Sequence, residues 1–89
     1  MRFEWDRNKA RANEQKHGVS FEEAAEVFTD ERSSTAADPD HSIDEDRLVI
    51  FGKTYGERSL VVSFTERDDR IRIISAREMT RQERAAYEQ

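Results

Sequence analysis

Six arginines crowd the last third of the chain: Arg67, Arg70, Arg72, Arg77, Arg81 and Arg84. A guanidinium is a flat fork of donors that matches two phosphate oxygens at once and keeps its charge. Arg70 and Arg72 stand two apart, so on a strand they share a face; Arg67 falls in a turn, and Arg77 leaves the strand's end. Together they would line one end of a sheet and hold a phosphate. The plainer reading is solvated arginines paired with Glu66, Asp68, Asp69, Glu78 and Glu83. Exposed pairs of that kind contribute little, and spacing alone favours this reading. His17, between Lys16 and Gly18, is the group best suited to general acid or base work near neutral pH. At a helix end it would equally complement the dipole. Lys9, Asn13 and Lys16 fall on one stripe of the same helix and would be its polar neighbours.

Other chemistries have weaker support. "DPDHSIDED" sets Asp38, Asp40, Ser42, Asp44 and Asp46 at the alternate positions of a calcium loop. Ile43 then stands at the glycine position and Val49 at the bidentate glutamate, so an Asp-Pro turn in an acidic loop is the better reading. Asp40 and His41 make no stronger metal pair. The chain has no GxGxxG, P-loop, HExxH or GxSxG, so no cofactor and no metal are expected. It has no cysteine, which removes disulfides and thiolate sites. Tyr55 and Tyr87 read first as packing residues, with stacking or proton donation second.

The elements that must position these residues come from a lean sequence. At 89 residues one domain, 1–89, is expected, with 35% hydrophobic and 39% charged residues. Such a core is thin, and a partner or self-association would add stability. Net charge is −5, against generic nucleic-acid binding, but residues 22–46 hold ten acids and one base. The remaining positions carry a net +4, so both ends are basic. "MRFEWDRNKA" lacks an apolar signal core, and no run approaches a membrane span, so a soluble, cytoplasmic chain is expected.

Phe3–Trp5 alternates as a short strand. Asp6 caps a helix to His17, closed by Gly18. Ser20 with Glu23 reads as a capping box, and Val19 with Ala24 as a staple. Phe21, Ala24, Ala25 and Phe28 form the apolar face of that second helix, which ends near Phe28 or Thr29. An edge strand near Ser34–Ala37 precedes three strands, Leu48–Lys53, Ser59–Thr65 and Arg70–Ala76, joined by hairpin links into an antiparallel meander. In the last strand Ile71 and Ile73 face the core, while Arg70, Arg72 and Ile74 face away. Thr80 with Glu83 opens a final helix. The predicted order is β-α-α-(β)-β-β-β-α.

Three stretches, "FEWDRNKARANEQKHGVSFEEAAEVF", "DPDHSIDEDR" and "TERDDRIRIISAREMTRQERAAYE", cover nearly the whole chain and resemble the BrnT family of type II toxins, within the RelE-like ribonuclease toxins. The resemblance implies an α/β (α+β) fold of RelE-like kind, a small twisted antiparallel sheet with helices packed on it. It implies an RNA-cleaving toxin that halts translation. It also implies a BrnA-like ribbon-helix-helix antitoxin, joined in a 2:2 heterotetramer that binds operator DNA through the antitoxin. Two positions depart from the family pattern. Glu14 replaces a usual leucine, taking an apolar anchor from the first helix, and Asp69 adds a second acid beside Asp68 near Arg67. The acidic balance points to free mRNA rather than ribosome docking.

On this reading RNA is cleaved without metal by its own 2′-hydroxyl. Arg67 and Arg77 would stabilise the growing charge, with His17 as acid or base. Lys9, Lys16 and Arg72 would contact RNA, and Arg70 is the bystander. Two other readings remain: a non-catalytic module that holds an antitoxin for operon autoregulation, and a structural RNA-binding protein.

Overall fold

The structure is a computed structural model and describes residues 1–39 and 46–88. Its elements are β1 (Arg2–Glu4), α1 (Arg7–His17), α2 (Phe21–Glu26), a 3-10 turn (Val27–Thr29), β2 (Ser34–Ala37), β3 (Arg47–Lys53), β4 (Ser59–Arg67), β5 (Arg70–Glu78) and α3 (Arg81–Tyr87). This is the expected order. Three caps explain where the helices start. Asp6 accepts from the backbone N–H of Asn8 and Lys9 at 2.8 and 3.0 Å. Ser20 Oγ accepts from Glu23 N at 3.0 Å, and Thr80 with Glu83 forms a full capping box. The box expected at α2 is only half built among the described contacts, because the Glu23 carboxylate is drawn to Arg58 at 2.6 Å. Gly18 ends α1 at φ 68°, a left-handed conformation that costs glycine nothing.

The sheet has five strands in the order β1-β5-β4-β3-β2. Four are antiparallel as expected. The wholly antiparallel sheet is corrected at one edge, where β1 runs parallel to β5 with Phe3 opposite Ile71. The intervening chain makes this possible, since α1 and α2 carry it across the sheet as a crossover must.

One face of the sheet is the core. Ile50, Leu60, Val62, Phe64, Ile71, Ile73 and Ala76 meet Val19, Phe21, Ala24 and Val27. Aromatic edges tie in the first strand, with Phe3 on Phe28 at 5.2 Å and Phe28 on Phe64 at 4.9 Å between centroids. The tightening to a 3-10 turn brings Val27 inside beside Phe21 and Ala24. It also explains Gly52 within β3: a Cβ there would lie 3.2 Å from both Val27 Cβ and its carbonyl oxygen. The opposite face buries a smaller cluster of Val49, Val61 and Met79, with Phe51 and Tyr87 packed against it. Among the described residues no helix is long and apolar enough to cross a membrane.

Candidate functional site

Strict alternation in β5 would send Arg77 to the same side as Ile71 and Ile73, into the core. A bulge prevents this. Ser63 pairs with Ser75 and Phe64 with Ile73, so Ile74 is the extra residue on β5. Beyond it the phase reverses: Ala76 is buried in the core, and Ser75 and Arg77 turn to the opposite face. This corrects the expectation that Arg77 lies past the strand. It sits within β5, opposite Val61.

A side chain on α1 fixes this segment. Arg2, Phe3 and Glu4 of β1 pair with β5 only through Arg72, leaving the outer edge of β5 at Ala76 without a strand neighbour. Asn13 takes that place. Its Oδ1 accepts from Ala76 N at 3.0 Å, and its Nδ2 donates to Ala76 O at 2.9 Å and to Val19 O at 3.0 Å. The amide reproduces the donor–acceptor pair of a missing strand residue. It therefore anchors α1 through a polar side chain, although position 14 holds Glu14, which is exposed. Asn13 is not part of an open stripe with Lys9 and Lys16: it is buried. Arg58 fastens the end of the helix, donating to Gly18 O at 3.3 Å and to the Glu23 carboxylate.

These two devices bring Lys16, His17 and Arg77 to one groove of about 420 Å³, whose lining includes Ser63, Ser75 and Asp38. His17 is half-buried there and Lys16 is exposed. Glu83 orients Arg77: Nη1 and Nη2 donate to its two carboxylate oxygens at 2.8 and 2.9 Å. That fork holds the Glu83 carboxyl far down, to about 2, against an opposing push from burial; the Thr80 backbone N–H adds to the lowering. Glu83 is thus too weak a base to take a proton near neutral pH.

The other predicted residues lie elsewhere. Arg67 and Arg72 line a separate notch of about 200 Å³ with Glu4, Thr65 and Arg70. Lys9 is exposed in the first turn of α1, at the other end of the helix from Lys16. Tyr87 has a structural partner, donating its hydroxyl to Asp30. Burial first, and then Asp30, push the phenol up to about 12. Burial raises the Asp30 carboxyl, but hydrogen bonds from Tyr87 and from the backbone N–H of Arg32 and Lys53 outweigh it and hold it below the usual range. Tyr55 is exposed. The calcium reading of 38–46 falls mostly on 40–45, with Asp40, His41, Ser42 and Asp44, outside the described residues. Among the described residues no three His, Asp or Glu side chains gather as metal ligands.

Two residues were undervalued by sequence. Helical spacing sets Asn13 on a polar stripe, and sequence pattern makes Glu83 only a cap and a surface counter-ion. A local signal existed only for the bulge, in the double isoleucine of "RIRIISAR" that breaks the alternation.

A small α+β domain with a bulged strand presenting arginine to a sheet-face groove has recognisable relatives. Its fold matches the 1.1 Å crystal structure of the Brucella abortus ribonuclease toxin, BrnT, with a TM-score of 0.72 and 23% identity over 91% of this chain and 99% of that one. The family model described as "Ribonuclease toxin, BrnT, of type II toxin-antitoxin system" matches residues 5–83, and the chain belongs to that family. No curated protein matches it.

Proposed function

We propose that this chain is a metal-independent endoribonuclease toxin that blocks translation by cutting RNA in the groove at Arg77. The observation that carries the reading is the meeting of Arg77, held in a fork by Glu83, with His17 and Lys16 in one groove. A 2′-oxygen attacks the adjacent phosphorus, and the bond to the 5′-oxygen breaks, leaving a 2′,3′-cyclic phosphate and a 5′-hydroxyl. Arg77 faces the phosphoryl oxygens as their charge grows, the largest contribution expected from any one group. His17 takes the 2′ proton as imidazole or returns one to the 5′-oxygen as imidazolium. Lys16 steadies the neighbouring phosphate. Arg67 lies in the notch with Arg72, so the reacting phosphate is assigned to Arg77 alone.

Family membership supports a protein antitoxin as partner. In this reading it is a BrnA-like ribbon-helix-helix protein in a cytoplasmic 2:2 complex that binds operator DNA. The acids concentrated in the sequence 22–46 suit it to a partner with basic segments.

Purified chain incubated with total RNA in EDTA tests the reading. Cleavage is expected, with cyclic phosphate ends, and its loss in Arg77→Ala. Intact RNA with both proteins, while expression still arrests growth, rules out this nuclease mechanism. Harmless expression with co-purification of a neighbouring product favours the antitoxin-binding module instead.

A further inference from the structure

The groove takes up only part of the cationic sheet face. At the far end of β5, three guanidinium groups, from Arg67, Arg70 and Arg72, line the notch with Thr65 and a single carboxylate, Glu4. Glu4 spans Arg70 at 3.4 Å and Arg72 at 3.3 Å, one oxygen to each. Those arginine side chains stay 56% and 48% exposed. Arg67 has no ion-pair partner among the described residues. The acids Asp68 and Asp69 sit in the adjoining turn, and Glu66 belongs to the opposite side of β4. The lining of the notch therefore holds three cations against one weakly engaged anion, with the Asp6 carboxylate near enough to Arg72 to feel its charge, and long exposed contacts of that kind are readily exchanged.

The notch and the groove lie on the same face. Arg67 is opposite Arg70, Thr65 opposite Arg72, Ser63 opposite Ser75 and Val61 opposite Arg77. The hydroxyl-bearing residues Thr65, Ser63 and Ser75 thus lie between one and the other on that face. Arg72 and Arg77 stand five positions apart on β5, about 15 Å by strand geometry. That is roughly four nucleotides of a stacked strand.

We propose that the Arg67–Arg70–Arg72 notch is a second phosphate subsite, which grips the backbone of the RNA strand some four nucleotides from the bond cut at Arg77. It rests on the ribonuclease reading for the identity of that strand. It also makes the recognised substrate a single-stranded segment of several nucleotides rather than one dinucleotide step, and gives Arg70 a role.

Binding is measured with 2′-O-methyl RNA, which cannot be cut through its own 2′-oxygen, as an oligomer of about twelve nucleotides and as a trinucleotide too short to span both places. For Arg70→Ala/Arg72→Ala the affinity for the longer oligomer is expected to fall about tenfold, and the slope of log affinity against log salt by about 1.4, as for two lost phosphate contacts on a single strand. The trinucleotide is expected to lose nothing. Glu4→Gln, which frees both arginines, is expected to tighten binding of the longer oligomer, an outcome misfolding cannot mimic. The proposal is overturned if long-oligomer binding and its salt slope are unchanged in both variants, if the trinucleotide suffers the same loss, or if wild type binds neither. It is also overturned, in favour of an acidic protein partner, if the double variant loses a polyglutamate peptide but keeps RNA. Cleavage by wild type with unchanged oligomer binding in the variants removes the subsite and leaves the nuclease. The expected binding pattern without cleavage keeps the subsite and removes the nuclease.

Discussion

The two ends of β5 carry the same side chain on the same sheet face and treat it differently. At its start Arg70 and Arg72 each reach one oxygen of Glu4, at 3.4 and 3.3 Å, with both guanidinium groups about half exposed. At its end Arg77 meets Glu83 through two parallel bonds of 2.8 and 2.9 Å. Glu83 is itself fixed by the capping box that starts α3. A forked, charge-assisted pair fixes direction as well as distance, whereas single long contacts fix neither. The difference separates an arginine held in one direction from arginines free to shift between partners, and under the proposed function it fits the first to one reacting atom and the others to a flexible backbone.

The largest effect is expected from replacing the fork by a point charge at the two ends. Arg77→Lys keeps the charge but loses the planar pair, and cleavage is expected to slow by about 10²-fold or more. Arg72→Lys is expected to slow it by no more than about threefold, since a following contact needs charge alone. Equal losses at both positions in a cleavage assay would erase the distinction between the two ends.

Asn13→Ala probes the support behind Arg77. It strands the N–H and carbonyl of Ala76 at a buried edge and leaves Val19 O without its donor. A loss of about 3 kcal/mol is expected, or a fall in Tm of roughly 10–20 °C for a domain this size. Urea melts of Asn13→Ala and wild type measure it. A change below about 0.5 kcal/mol would mean that α1 is held by other contacts.

Much of the fold was legible because its signals are local. Asp6, Ser20 and Thr80 mark helix starts within four residues of sequence, and Leu60–Val62–Phe64 alternates plainly. The parallel seating of β1 was not, since it depends on a pairing between Phe3 and Ile71 that no local pattern encodes. The candidate site was half legible. His17, Lys16 and Arg77 were named, but their separation from Arg67 and Arg72 follows from the bulge at Ile74 and the length of β5. Asn13 imitates a strand, and such mimicry leaves no trace in helical spacing. Glu83 looked like one counter-ion among several, and only distance distinguishes it.

Glu83→Gln breaks the fork while keeping the capping geometry. Arg77 is 42% exposed, so solvent screening limits the loss of stability to about 1 kcal/mol. The pH dependence is more telling. The folded carboxyl is held at about 2, below its ordinary value of 4.5. The pair's contribution is therefore complete above about 4.5 and fades as pH falls toward 2. Thermal melts of wild type and Glu83→Gln are expected to differ at neutral pH and to converge at the acid end. A constant difference down to the acid limit would mean that the carboxylate is not what holds Arg77.

Glu4→Gln is the matching change at the other end, and its effect on stability is the smallest expected. Removing that carboxylate breaks two ion pairs at once, yet both are single, long and exposed. Charge repulsion between Arg70 and Arg72 is screened by water and salt at that depth. A shift within about 0.5 kcal/mol is expected, and melts near neutral pH read it directly. If Glu4→Gln instead costs as much as Glu83→Gln, the notch is a built structural pair rather than a set of arginines available to phosphate. The contrast between the two ends of β5 would then have to rest on the fork's geometry alone.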